Sequence, residues 1–141
     1  MARMPHAFFY GGYMNPDTLK ALGTQLMDCA TGYVEGLKLN IGPLANLEES
    51  DGSRAYGLLA RLSHEDLDKL YGSDPAALQG IVYLPEAVLV HTENGQTVPA
   101  LVYICAPLTG IADAAYVAKL IVAAKKVGLP ADYIAHIRTF E

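Results

Sequence analysis

The sequence predicts an α+β fold in a single domain spanning residues 1–141. Three observations carry this. The first two-thirds is built from β-rich apolar runs punctuated by glycine. Asn94-Gly95 stands between two such runs as a tight hairpin signal. The last third shifts to apolar residues at helical spacing.

The chain opens with a strand over Ala7–Tyr10 that stops at Gly11-Gly12. Asn15-Pro16-Asp17 then starts a helix carrying Leu19, Leu22 and Leu26, with asparagine as its cap and proline in its first turn. From Thr31 to Ile41 the residues alternate. Tyr33, Glu35, Leu37 and Leu39 share one face of a strand, and its glycines bend it. Residues 42–47 read as a loop and Glu48–Ser53 as a polar turn, followed by a strand over Arg54–Leu62.

Ser63 and Asp66 form a capping pair ahead of a helix over His64–Tyr71, with Leu67 and Leu70 as its buried stripe. Gly72-Ser73-Asp74-Pro75 ends it, since proline forbids continuation. Ile81–His91 and Val98–Cys105 are the two arms of the hairpin. Tyr116, Leu120, Ala123 and Val127 mark a helix closed by Gly128. A second helix begins at Leu129-Pro130 and carries Tyr133, Ile134, Ile137 and Phe140.

Composition narrows the function. Hydrophobic residues make up 52% and charged residues 18%, which excludes a disordered chain. The ten Lys and Arg are dispersed and the net charge is −5, so no basic stripe exists for nucleic acid or an anionic membrane. A small molecule or another protein is the expected partner, and nothing in the sequence bears on oligomeric state. No apolar stretch suits a signal peptide or a bilayer span, so the expected location is the cytoplasm. Cys29 and Cys105 stand apart in apolar surroundings as reduced structural thiols. His6, His64, His91 and His136 lie scattered without ligand spacing, so neither a metal nor a cofactor is expected. There is no G-x-S-x-G elbow and no dinucleotide fingerprint.

Two features carry possible chemistry. Phe9-Tyr10-Gly11-Gly12-Tyr13-Met14 is a strand end that runs through glycines into a helix start. That arrangement suits either an ordinary tight turn or a loop that aims backbone N–H groups at an anion. Asp74, beyond a helix and before a proline, suits either a turn cap or a base. In a cavity lined by Tyr10, Tyr83 and Tyr116 it would be desolvated, and its pKa would rise.

Taken in order, these stretches resemble the γ-glutamylcyclotransferase family. Tyr10-Gly11-Gly12-Tyr13-Met14 is similar to its Y-G-S-N-[ML] loop. Arg54-Ala55-Tyr56-Gly57-Leu58-Leu59 falls where the family has V-x-G-x-[VL]. Leu67–Pro75 resembles its L-x-x-L-D-x-x-E-G helix exit, Tyr83–Val88 its Y-x-x-x-x-V strand, and Tyr116–Phe140 its terminal pattern with G-L-P-x-x-Y. The resemblance implies a small, mixed, twisted β-barrel with flanking helices and one cavity at its mouth. It also implies a cofactor-independent reaction that turns a γ-glutamyl amine or dipeptide into 5-oxoproline and releases the amine.

Carried over position by position, the resemblance implies that Phe9, Tyr10, Gly11, Gly12 and Tyr13 hold substrate, and that Tyr83 and Tyr116 line the cavity. Asp74 matches the family's catalytic glutamate. The pattern departs at Gly12 and Tyr13, which replace a serine and an asparagine, at Pro75, which replaces a glycine, and at Asp74 itself, one methylene short. These departures keep an inactive binding module of the same fold as an alternative. They also keep Glu48 and Glu86 as alternative carboxylates.

Overall fold

The computed structural model describes residues 3–72 and 81–141. Asp74 and Pro75 lie outside the described residues. The elements are β1 (His6–Phe9), α1 (Pro16–Ala21), β2 (Met27–Ile41), β3 (Ala45–Arg61), α2 (His64–Gly72), β4 (Leu84–Thr92), β5 (Thr97–Ile104), α3 (Ala114–Lys126) and α4 (Ala131–Arg138). The strands close into a barrel in the order β1-β3-β2-β4-β5. β1 runs parallel to β5 and antiparallel to β3, so the barrel is mixed, as the resemblance implies.

β1 is short and buried on both faces: Ala7, Phe8 and Phe9 are each about 1% exposed. This is why the sequence shows a continuous apolar run there rather than an alternation. The strand starts and stops one residue earlier than expected, which leaves Tyr10 as the first residue of the loop.

β2 and β3 form the long ribbon of the fold, paired from Met27↔Arg61 to Ile41↔Ala45. Here the sequence reading needs correcting. Only residues 42–44 form the turn; Ala45–Leu47 and the whole polar stretch Glu48–Ser53 belong to β3. Leu39 stands opposite Leu47 in the core, and Lys38 opposite Glu48 supplies a favourable cross-strand charge pair. The polar residues look like a turn because this part of the ribbon is largely exposed to water.

The alternation expected along β2 also fails midway. Val34 and Leu39 are both about 1% exposed, although they stand five positions apart, an odd offset that strict alternation would put on opposite faces. The register shifts between Glu35 and Leu37, where Gly36 takes φ 81°. Across this shift Gly36 alone on β2 faces residues 50–53 of β3, and this bulged register reverses which face of β2 points inward.

The capping signals hold. Asn15 Oδ1 accepts the Asp17 N–H at 3.0 Å, and Ser63 Oγ accepts the Asp66 N–H at 3.1 Å. Asp66 does not complete a reciprocal box; its carboxylate accepts the Gln25 N–H at 3.0 Å and so ties α2 to the entry of β2. α1 ends at Ala21, leaving Leu22 half exposed as its cap and Leu26 beyond it. Gly95 in the β4–β5 turn has φ 85°, and Gly128 after α3 has φ 78°, as the hairpin and helix-end readings require.

The helices lie against the barrel wall. Tyr133 of α4 packs its ring 5.0 Å from that of Tyr56 on β3. Val117, Leu120, Ile121, Ala123 and Ala124 turn one face of α3 into the core. Among the described residues, no helix is long and apolar enough to cross a membrane.

Candidate active site

The stretch that links β1 to α1 forms one wall of a cavity of about 690 Å³. Phe9, Tyr10, Gly11, Gly12 and Tyr13 all line it. Tyr83 and Tyr116 face it from the segment before β4 and from α3. Every substrate-contact residue expected from the sequence is therefore at one cavity. Asp74 lies outside the described residues.

Each tyrosine is held by its hydroxyl. Tyr10 donates to the Tyr103 carbonyl at 2.6 Å, Tyr13 to the Leu70 carbonyl at 2.8 Å, and Tyr83 to the Ala45 carbonyl at 2.6 Å. The Tyr116 oxygen accepts the Ala45 N–H at 3.1 Å. The polar tips are anchored to backbone, and the cavity is walled largely by aromatic rings fixed in place. Burial, reinforced by Tyr83 and Tyr71, keeps the Tyr10 hydroxyl well above the usual tyrosine range, so it stays neutral.

The glycines in the loop are not there for a left-handed backbone. Neither Gly11 nor Gly12 adopts a left-handed φ. What Gly11 supplies is room: a Cβ there would meet Ala45 Cβ at 3.1 Å and the Tyr116 oxygen at 3.5 Å. The turn closes with Met14 N–H bonded to the Gly11 carbonyl at 2.9 Å. Among the described residues, no turn, loop or side-chain acceptor takes the Gly11 and Gly12 N–H groups. α1 has only six residues and adds little dipole.

Among the lining residues that sequence reasoning missed are Tyr71, Tyr103 and Lys119. Tyr71, at the end of α2, stacks on Tyr103 of β5 with ring centroids 3.8 Å apart and planes 10° apart. Tyr71 follows Leu67 by one helical turn, so its inward direction was legible. Lys119 follows Tyr116 by three residues on α3 and also lines the cavity; that spacing was the available signal.

The alternative carboxylates are elsewhere. Glu86 is exposed on β4 opposite Val102 and borders a separate surface groove. Glu48 accepts a hydrogen bond from Asn40 Nδ2 at 3.2 Å. Among the described residues, no carboxylate lines the main cavity, and no three His, Cys, Asp or Glu gather as metal ligands.

A family model described as the AIG2-like family matches residues 54–137, more than half of the chain. The chain belongs to the AIG2-like family. The match takes in the stretches Arg54–Leu59, Leu67–Pro75 and Tyr83–Val88 that resemble γ-glutamylcyclotransferase motifs.

Solved structures agree on the family fold. A structure described as a gamma-glutamyl cyclotransferase superposes with a TM-score of 0.81 at 18% identity, covering 99% of this chain and 89% of that one. An uncharacterized human protein, loc79017, gives 0.83 at 17% identity, covering 98% of this chain and 88% of that one. YkqA from Bacillus subtilis gives 0.76 at 17% identity; 97% of this chain matches 54% of that one. At these identities the likeness is one of fold. No curated protein matches the chain.

Proposed function

We propose that this AIG2-like protein is a γ-glutamylcyclotransferase, converting a γ-glutamyl amine or dipeptide into 5-oxoproline with release of the amine. The observation that carries the proposal is the convergence of the glycine loop with Tyr10, Tyr83 and Tyr116 on one cavity. Its volume of about 690 Å³ lies in the range of small-molecule sites.

The reaction asks the protein for position more than for a nucleophile, because the substrate supplies its own. The α-amino nitrogen must lose a proton and attack the γ-carbonyl carbon, forming the ring C–N bond. The carbonyl oxygen then carries negative charge until the bond to the leaving nitrogen breaks and that nitrogen takes up the proton. Holding the chain folded into a near-attack conformer supplies much of the acceleration. Tyrosines whose hydroxyls are spent on backbone form rigid walls for that purpose. The Gly11 and Gly12 N–H groups are the donors for the substrate's carboxylate or developing oxyanion.

The proton carrier in this reading is Asp74, the position that matches the family glutamate. Among the described residues no carboxylate lines the cavity, so none of them competes for that role. General acid–base groups of this kind typically contribute ~100-fold or more.

The test is release of 5-oxoproline from a panel of γ-glutamyl amines and dipeptides, with Asp74→Asn beside the wild type. Turnover by the wild type and a loss of ~100-fold or more in D74N is the expected result. Full activity in D74N removes Asp74 from the mechanism. Tight binding without turnover by the wild type overturns the enzyme reading in favour of a binding module.

A further inference from the structure

The cavity is aromatic within but not at its edge. Lys119 lines it on α3, one helical turn beyond Tyr116, with Thr18 and Asn15 of the α1 region lining the same cavity. Among the described lining residues Lys119 is the only charged side chain. Among the described residues it also makes no ion pair, whereas Lys126 on the same helix is spent on Asp17. Asp17 is the acid nearest in sequence to Asn15 and Thr18, and it is already engaged.

This cation sits in a chain whose net charge is −5. An anionic ligand approaching such a protein meets a repulsive field, so a single lysine at the cavity edge is where its charge would be met. A γ-glutamyl amine carries only its α-carboxylate, which the Gly11–Gly12 loop takes in the proposed function. A γ-glutamyl amino acid carries a second carboxylate on its leaving group, which points away from the loop and toward the cavity edge.

We infer that Lys119 is a specificity residue that selects γ-glutamyl substrates whose leaving group bears a carboxylate, that is, γ-glutamyl amino acids over γ-glutamyl amines. The inference rests on the functional reading above, since it assumes that the γ-glutamyl end is held at the loop. Lys119 is exposed, so the contact is worth little in absolute terms, and the expected discrimination is about three- to five-fold.

The test uses two ligands that differ only in that carboxylate, γ-glutamylalanine and γ-glutamylethylamide. The chain has no tryptophan, and tyrosines line the cavity, so tyrosine fluorescence after rapid mixing reads binding before any turnover. Turnover to 5-oxoproline is followed in the same samples. The wild type is expected to bind γ-glutamylalanine about three- to five-fold more tightly. Lys119→Met, which retains helix propensity, is expected to abolish that preference. Lys119→Arg is expected to keep it, and added salt to erode it.

Equal affinities in the wild type, or a preference that survives in K119M, overturn the inference. If the preference depends on Lys119 but no 5-oxoproline forms, the carboxylate site stands and the cyclotransferase reading falls. If neither ligand binds, both fall.

Discussion

Gly57 offers the sharpest test of how the fold positions the site. It lies on β3 beside β1, and a Cβ added there would fall inside contact distance of the Phe9 carbonyl oxygen. Phe8 Cζ would be 3.0 Å away and the Phe9 carbonyl carbon 3.1 Å. The obstacle is partly backbone, so no rotamer change relieves it. Phe8 and Phe9 are each about 1% exposed, and β1 is held between β3 and β5, so it has nowhere to retreat. Overpacking of this kind costs ~1–3 kcal/mol. Replacing glycine by alanine returns ~0.4–1 kcal/mol by restricting the unfolded chain. The net expectation for Gly57→Ala is a loss of ~1–2 kcal/mol, or roughly 3–10 °C in Tm for a domain of this length.

A second consequence follows because β1 runs directly into the Gly11–Gly12 loop. Displacing β1 displaces that wall, so G57A is also expected to weaken ligand binding at temperatures where it is still folded. Gly12→Ala is the control. Its Cβ would stand 3.9 Å from Tyr116 Cε1, an ordinary contact, so its stability should stay within about 0.5 kcal/mol of wild type. Calorimetric melting of both variants decides the matter. A G57A protein that melts at or above the wild-type temperature would falsify the packing argument.

Two further outcomes concern buried tyrosines. Burial holds the Tyr10, Tyr103 and Tyr133 hydroxyls above their usual value of 10.0, so in an ultraviolet titration they ionise later than tyrosine in the unfolded chain. Above pH 10 the unfolded chain releases protons that the folded chain retains. Stability is therefore complete below about pH 10 and declines as pH rises past it. Tyr10→Phe should reduce that slope, and an unchanged slope would remove Tyr10 from the account. Tyr133 OH is buried without a hydrogen-bond partner among the described residues, although it lies against the Tyr56 backbone. Tyr133→Phe should leave Tm unchanged or raise it, since an unpaired buried hydroxyl costs ~1–3 kcal/mol. A drop of several degrees would mean that the hydroxyl has a partner after all.

Features governed by neighbouring residues were legible in the sequence. Asn15, Ser63, Gly95 and Gly128 each work within a turn of chain, and each behaves as its residue type implies. The barrel came from the resemblance rather than from periodicity. The parallel pairing of β1 with β5 joins residues more than ninety positions apart, which local pattern does not encode. The misreadings share one cause. Glu48–Ser53 looks like a turn because its residues favour water, yet a ribbon strand exposed to solvent has the same composition. Gly36 looked like a weak point in β2, whereas its left-handed φ moves Val34 and Leu39 onto the same buried side. In the site, Tyr10, Tyr83 and Tyr116 were found through the family order. Tyr71 and Lys119 were not, because neither matches a motif, although each lies one helical turn from a recognised residue.

The start of β3, assigned from sequence to a loop, turns out to organise the cavity. Ala45 receives the Tyr83 hydroxyl on its carbonyl and gives its N–H to Tyr116, so two walls hang on one residue. The next residue, Asn46, is about 1% exposed and exchanges two bonds with Cys105, accepting its N–H at 3.1 Å and donating to its carbonyl at 3.0 Å. That pair ties the start of β3 to the chain just beyond β5, where the barrel offers no ladder between those two strands. A buried amide whose partners are both satisfied is costly to disturb, because breaking it strands polar groups away from water. A loop at Ala45-Asn46 would leave Tyr83 and Tyr116 without a fixed reference. As the first residues of a long paired strand, they hold both rings to the barrel itself. The cavity is rigid for the same reason that the barrel is closed.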